Sequence, residues 1–152
     1  MKPILPAAVV GGLTVALVGC SAPGLYKKRS DLVSNPAACG AKRFEVYFDQ
    51  DQARLTTAAR EAIGLTATQL QGCDVTKVQV LGLADARSGT AASNQSLSER
   101  RARSVAEALA AAGLPAPAFE VAAAGAEGAV VNGVNDPLRR RTEVLIEAKP
   151  RR

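Results

Sequence analysis

Histidine and tryptophan are absent from this chain of 152 residues, and methionine occurs once. Without histidine, the most common general base and transition-metal ligand are both missing. No clustered cysteine or aspartate pattern replaces them, so no metal site and no cofactor are expected. Asp49 and Asp51 flank one polar turn, but paired carboxylates in a turn serve solvation or capping more often than acid–base chemistry. No nucleophile–base pair is visible by spacing, and the chain is not expected to be an enzyme. Aromatics are scarce, with three Phe and two Tyr, while alanine is abundant, so the core should be small and aliphatic. Acidic residues number 14 against 19 basic ones, a formal charge of +5. Long apolar stretches are also missing, apart from one run over residues 4–18 that Pro6, Gly11 and Gly12 interrupt.

That run is shorter than the roughly 20 residues a spanning helix requires. Lys2 precedes it, and Leu17-Val18-Gly19-Cys20 closes it. A Leu-x-small-Cys ending looks like the lipobox of bacterial lipoprotein signal peptides. On that reading residues 1–19 are removed, Cys20 becomes the lipidated N-terminus, and fold reasoning starts there. The competing reading is an uncleaved single-span anchor. Three acyl chains on one residue would anchor it far more firmly than one, since each buried methylene contributes about 0.8 kcal/mol. Export argues against nucleic acid as the partner of a basic chain. An anionic cell-wall polymer or a lipid surface suits it better.

Cys39 and Cys73 remain once Cys20 is assigned to lipid. An even pair in an exported chain suggests a disulfide, with two free thiols as the alternative. Cys39 precedes the first expected strand and Cys73 follows the first expected helix, so both can lie at one edge of the domain.

Residues 20–43 contain Pro23, Gly24, Pro36, Gly40 and a Lys27-Lys28-Arg29 cluster, with no period of 2 or 3.6, and read as a tether. Residues 44–48 alternate, with Phe44, Val46 and Phe48 on one face, which predicts a strand. Thr56 can cap a helix running to about Leu70, stopped by Gly72. A second strand is predicted over 77–81, a loop over 82–96 and a helix over 97–112 with Ser98 near its start. A third strand is predicted over 119–123, a Gly-rich connection over 125–138 and a fourth strand around 142–147. Residues 149–152 read as a frayed basic tail. The order β-α-β-α-β-β implies right-handed crossovers and largely parallel pairing. The fold class is α/β (α+β), a two-layer sandwich with two helices on one face of a four-stranded mixed sheet, in one domain over 44–148.

The second helix contains an anomaly. At roughly 100° per residue, Leu97, Val105, Ala108 and Ala112 share a direction within about 40°, and Arg101 lies at its centre. Glu99, Arg103 and Glu107 lie outward. A guanidinium among apolar side chains must be paired or reach water. Either Arg101 escapes past the end of the core, as snorkelling arginines do, or it is held in a pocket with Asp85. Asp85 sits just beyond the C-terminal end of the second strand, where ligands of α/β folds tend to bind. An Asp and an Arg displayed together are either a plain structural salt bridge or a receptor for a zwitterion. In the second case the fork takes a carboxylate and the Asp takes an ammonium.

These residues form larger motifs. They are Phe48-Asp49 with Asp51 and Leu55-Thr56, Ala84-Asp85 after a strand, Asn94 with Leu97-Ser98 and Arg100-Arg101-Ala102, and Arg139-Arg140-Arg141-Thr142-Glu143-Val144. Together they resemble the OmpA-like peptidoglycan-binding domain over about residues 44–148, and with the lipobox the chain resembles a peptidoglycan-associated lipoprotein. The resemblance implies non-catalytic capture of diaminopimelate in the peptidoglycan stem peptide. It implies Asp85 and Arg101 as the key pair, supported by Asn94, Asp51 and the tail arginines Arg140 or Arg141. It also implies a lipid-anchored outer-membrane protein facing the periplasm, and Ser21 after the lipidated cysteine agrees with outer-membrane delivery. Two departures stand out. Leu83 replaces the family's usual histidine, and the loop from Asp85 to Asn94 is one residue longer. The alternative function is a periplasmic protein-interaction module on the same scaffold, docking onto other envelope proteins.

Overall fold

The computed structural model describes residues 39–87 and 89–151. The expected signal segment, the lipidation position Cys20 and all but the last residues of the expected tether lie outside the described residues. Strand β1 (Lys42–Tyr47) buries Val46, and Phe48 follows it into the core. Helix α1 (Thr57–Gln69) begins where Thr56 accepts a hydrogen bond from the Ala59 amide, and it buries Ile63. Strand β2 (Cys73–Gly82) is longer than the alternation over 77–81 predicts. Its pairing register shifts between Val75 and Lys77, a bulge that moves the buried positions from Cys73 to Val78 and Val80. The flip in phase hides residues 73–76 from a period-2 reading.

Helix α2 (Ala91–Ala111) starts well before the expected residue 97. Its cap is Thr90, which accepts from the Ser93 amide, and Ser98 is an interior residue of the helix. Ala91 and Ala92 are strong helix formers, so a run of small residues here is helix rather than loop. The buried stripe is Asn94, Leu97, Ser98, Arg101, Ala102, Val105 and Leu109. It is offset from the predicted one, and Ala112 is exposed.

Strand β3 (Phe119–Ala123) runs parallel to β2. Residues 125–138 are not a plain connection. They hold a hairpin of β4 (Val130–Val131) and β5 (Val134–Asn135), then a 3₁₀ turn over Pro137–Arg139. Asn132 and Gly133 make its turn with φ of 53° and 79°, the left-handed pair that a two-residue type I′ hairpin requires. The last described strand, β6 (Arg141–Pro150), reaches past the expected 142–147. Lys149 and Pro150 pair with Asp74 and Cys73, so they are strand rather than frayed tail.

The sheet order is β1-β6-β2-β3. Only β2–β3 is parallel, because β6 inserts antiparallel between β1 and β2 and so replaces the expected parallel neighbour of each. Both helices cover one face, burying Val78, Val80, Val144 and Ile146 against Ile63, Val105 and Leu109. At Gly82 the helix–sheet contact is backbone against backbone. A Cβ there would sit 2.0 Å from the Ser98 carbonyl oxygen, so only glycine lets α2 seat at this depth. Cys39 and Cys73 are joined by a disulfide with Cα atoms 5.5 Å apart.

Candidate functional site

The segment after β2 is pinned on both sides of Asp85. The Leu83 amide donates to the Arg141 carbonyl at 2.9 Å, and the Ala84 amide to the Gly125 carbonyl at 2.7 Å. The Ala86 amide donates to Asn135 Oδ1 at 2.7 Å, which brings the hairpin against this loop. Asp85 itself is fully buried. Leu83, where the resemblance leads one to expect histidine, is buried too and packs as an apolar residue.

Arg101 lies in the middle of α2, and its side chain is fully buried rather than reaching water. Its fork is held by three main-chain oxygens. Nε donates to Gln52 at 2.8 Å, Nη1 to Leu83 at 2.9 Å and Nη2 to Asp49 at 3.1 Å. The guanidinium carbon lies 5.1 Å from the centre of the Phe48 ring, within cation–π range. Arg101 thus ties the turn after β1 to the end of β2. A guanidinium carries five N–H donors, so one remains on each terminal nitrogen. Burial pulls the Arg101 pKa below its usual value. Asp85 and, less strongly, Asp51 oppose that pull, while Arg140 and Arg100 add to it. An arginine remains charged through such a shift.

Arg140, at the end of the 3₁₀ turn, donates from Nη1 to Asp85 Oδ2 at 3.0 Å. Its side chain is 28% exposed and that of Asp85 is 0%, so Arg140 is the solvent-facing member of the pair. Asn94, in the first turn of α2, is buried, and its Oδ1 has no hydrogen-bond partner. A buried acceptor left this way costs about 1–3 kcal/mol. Asp51 occupies the turn beside Arg101 with φ of 55° and is exposed. Arg141 goes elsewhere. It bonds Glu143 at 2.7 Å and lies 3.3 Å from Glu45, on the sheet face the helices leave open. The geometry therefore brings Asp85, Arg101 and Arg140 together, with Asp51 nearby and Asn94 on the same buried face of α2, and leaves Arg141 out.

The sequence profile of the OmpA family matches residues 47–142, which include every one of these positions. The chain belongs to the OmpA family. Over 103 residues it is 33% identical to outer membrane protein A of Klebsiella pneumoniae, covering 66% of this chain and 30% of that protein. The chain thus spans about a third of that relative's length. Among solved structures it is similar to the peptidoglycan-associated lipoprotein of Burkholderia pseudomallei. The two are 26% identical with a TM-score of 0.59, over 70% of this chain and 91% of that one. It shares its fold with an OmpA-like domain from Francisella tularensis, at 24% identity and a TM-score of 0.60 over 72% and 73% of the chains.

In this OmpA-family domain several supporting residues escape pattern reading. Asp49 and Gln52 act through main-chain oxygens, which no side-chain motif reveals. Ser98 donates to the Gln95 carbonyl and accepts from the Gly125 amide, clamping α2 to the loop after β3. Asn135 is reachable from sequence only through the Val-Asn-Gly-Val hairpin signal around it. Gly82, a lone glycine ending a strand, is the remaining clue, since such a glycine marks a close backbone approach.

Proposed function

We propose that this domain binds peptidoglycan non-covalently through the diaminopimelate of the stem peptide, and that lipid on Cys20 holds the chain in the outer membrane, so that it ties membrane to wall. The observation that carries this reading is the fully buried Asp85 carboxylate placed with a fully buried guanidinium, at the end of β2. Desolvated charges of opposite sign are expensive unless their geometry is used. The Asp85 oxygens suit an ammonium, the two remaining N–H groups of Arg101 suit a carboxylate, and Asn94 Oδ1 offers a further acceptor. The likeness to a peptidoglycan-associated lipoprotein supports both the ligand and the anchor. Arg140 holds the seat on Asp85 until the ligand ammonium replaces it.

The test is retention on purified sacculi, with and without free diaminopimelate as competitor. Wild type should sediment and be released by the competitor, whereas Asp85→Asn should not sediment although its melting curve stays cooperative. Sedimentation of Asp85→Asn at the wild-type level would reject the reading. Acylation is tested separately, by mass spectrometry of the N-terminal peptide.

A second reading, a docking module for envelope proteins, draws support from the exposed Val130, Val131, Val134 and Leu138, which gather on the hairpin and the following turn. It is favoured if wild type fails to sediment with sacculi and co-purifies with a protein partner.

A further inference from the structure

The disulfide and the candidate site occupy opposite ends of one strand. Cys73 is the first residue of β2, and Leu83 to Asp85 follow its last. At about 3.3 Å per residue the strand spans roughly 30 Å. We infer that the Cys39–Cys73 crosslink is a tension shunt, which passes any pull on the chain ahead of Cys39 directly into β2. This rests on the membrane-to-wall reading above, because a tether and a wall ligand at the two ends are what would stretch the domain.

Without the crosslink, a pull from the N-terminal side enters at β1. Among the described residues that strand is the edge of the sheet and pairs only with β6. It would be stripped first, followed by α1, before tension reached β2. With the crosslink, tension skips the loop between the two cysteines, which lie 34 positions apart in sequence. It enters an interior strand paired with β6 along its length and with β3 along residues 78–82. Ladder hydrogen bonds lie across the strands. A pull between the two ends of β2 runs along a backbone already extended at about 3.3 Å per residue, so these bonds are not peeled singly. The far end is also secured, since the Leu83 oxygen accepts from Arg101 and the Leu83 amide donates to Arg141. The pull thus leaves through α2 and β6 as well as through the loop.

Single-molecule force spectroscopy on the full chain tests this, with one handle at Ser30 and the other at Arg87 beside the site. The crosslinked protein should lack the early low-force step that Cys39→Ser/Cys73→Ser shows. Its stretched length should be shorter by about 120 Å, the span of the skipped residues at ~3.5 Å each. A second axis, with handles at Arg87 and Arg151, bypasses the crosslink, and there both proteins should break at the same force. Equal first-rupture forces along the Ser30 axis would overturn the inference. An equal gain along both axes would also overturn it, since the crosslink would then be a general stabiliser. Failure of the wall-binding reading appears instead in the sacculus assay and leaves these forces unchanged.

Discussion

Arg140 donates to the carboxylate of Asp85 at 3.0 Å, joining the segment before β6 to the segment after β2 across 55 residues of sequence. The two ends of that bond differ in exposure, with Asp85 sealed and Arg140 reaching solvent. On the proposed reading a bound ammonium would take the same oxygen region and compete with the internal pair.

Arg140→Ala should therefore act in opposite directions on stability and affinity. Removing the cation leaves a buried carboxylate less well compensated, and the domain should lose about 1–3 kcal/mol in urea unfolding. The ligand no longer has to displace a guanidinium, so calorimetry should show tighter binding of diaminopimelate. Weaker binding would mean that Arg140 contacts the ligand itself.

Arg101 is a structural clamp on three main-chain oxygens. Arg101→Met removes the donor from three main-chain oxygens and should destabilise the fold by about 3–5 kcal/mol. Arg101→Lys, a compact ammonium that cannot reproduce the fork, should recover only part of that loss. Chemical denaturation of both variants checks the order, and equal stability of Arg101→Met and wild type would remove the clamp.

Gly82→Ala should lower stability by about 2–4 kcal/mol, an overpacking effect in a close-packed core. The added methyl meets the Ser98 carbonyl oxygen at 2.0 Å, so α2 must lift from the sheet. Thermal melts followed by circular dichroism report the loss, and wild-type melting would show that the helix can shift freely.

Asn135→Ala takes the acceptor from the Ala86 amide and should cost about 1 kcal/mol. Its more telling effect is local. Hydrogen exchange at Ala86 should quicken while the amides of β2 keep their protection. Unchanged exchange at Ala86 would mean that the hairpin does not brace the loop carrying Asp85.

Much of this architecture is legible in the residues, and where it is not the reason is physical. Thr56 announces the start of α1 because a hydroxyl just ahead of a helical pattern can accept from a free N-terminal amide, and the structure shows it doing so. The start of α2 is misread by several residues, because Thr90 followed by Ala91 and Ala92 looks like a loop of small side chains when it is a cap and two strong helix formers. The bulge between Val75 and Lys77 inverts the alternation in β2 and hides its first residues. Pairing partners are harder still, since nothing local to residues 141–150 says that they lie between β1 and β2. Asp85 and Arg101 stand out because one charge lies on an apolar stripe and another ends a strand. The oxygens of Asp49 and Gln52 do not, because any residue supplies a carbonyl. Arg140 and Arg141 are neighbours in sequence, yet one faces the site and the other the open sheet, a choice made by strand register rather than residue type.

The place of β6 has a consequence for how the chain acquires its shape. It is the latest strand in the described sequence and sits second in the sheet, with β1 and β2 on its two sides. Until it arrives, β1 has no neighbour to pair with and β2 has only β3. Folding must then wait for contacts between residues far apart in sequence, which slows it and rules out growth from the N-terminal side. A nascent chain lacking that segment would hold β1 and β2 without their shared neighbour, and Asp85 without the strand that positions Arg140, so the fold is completed only once the whole domain has been made.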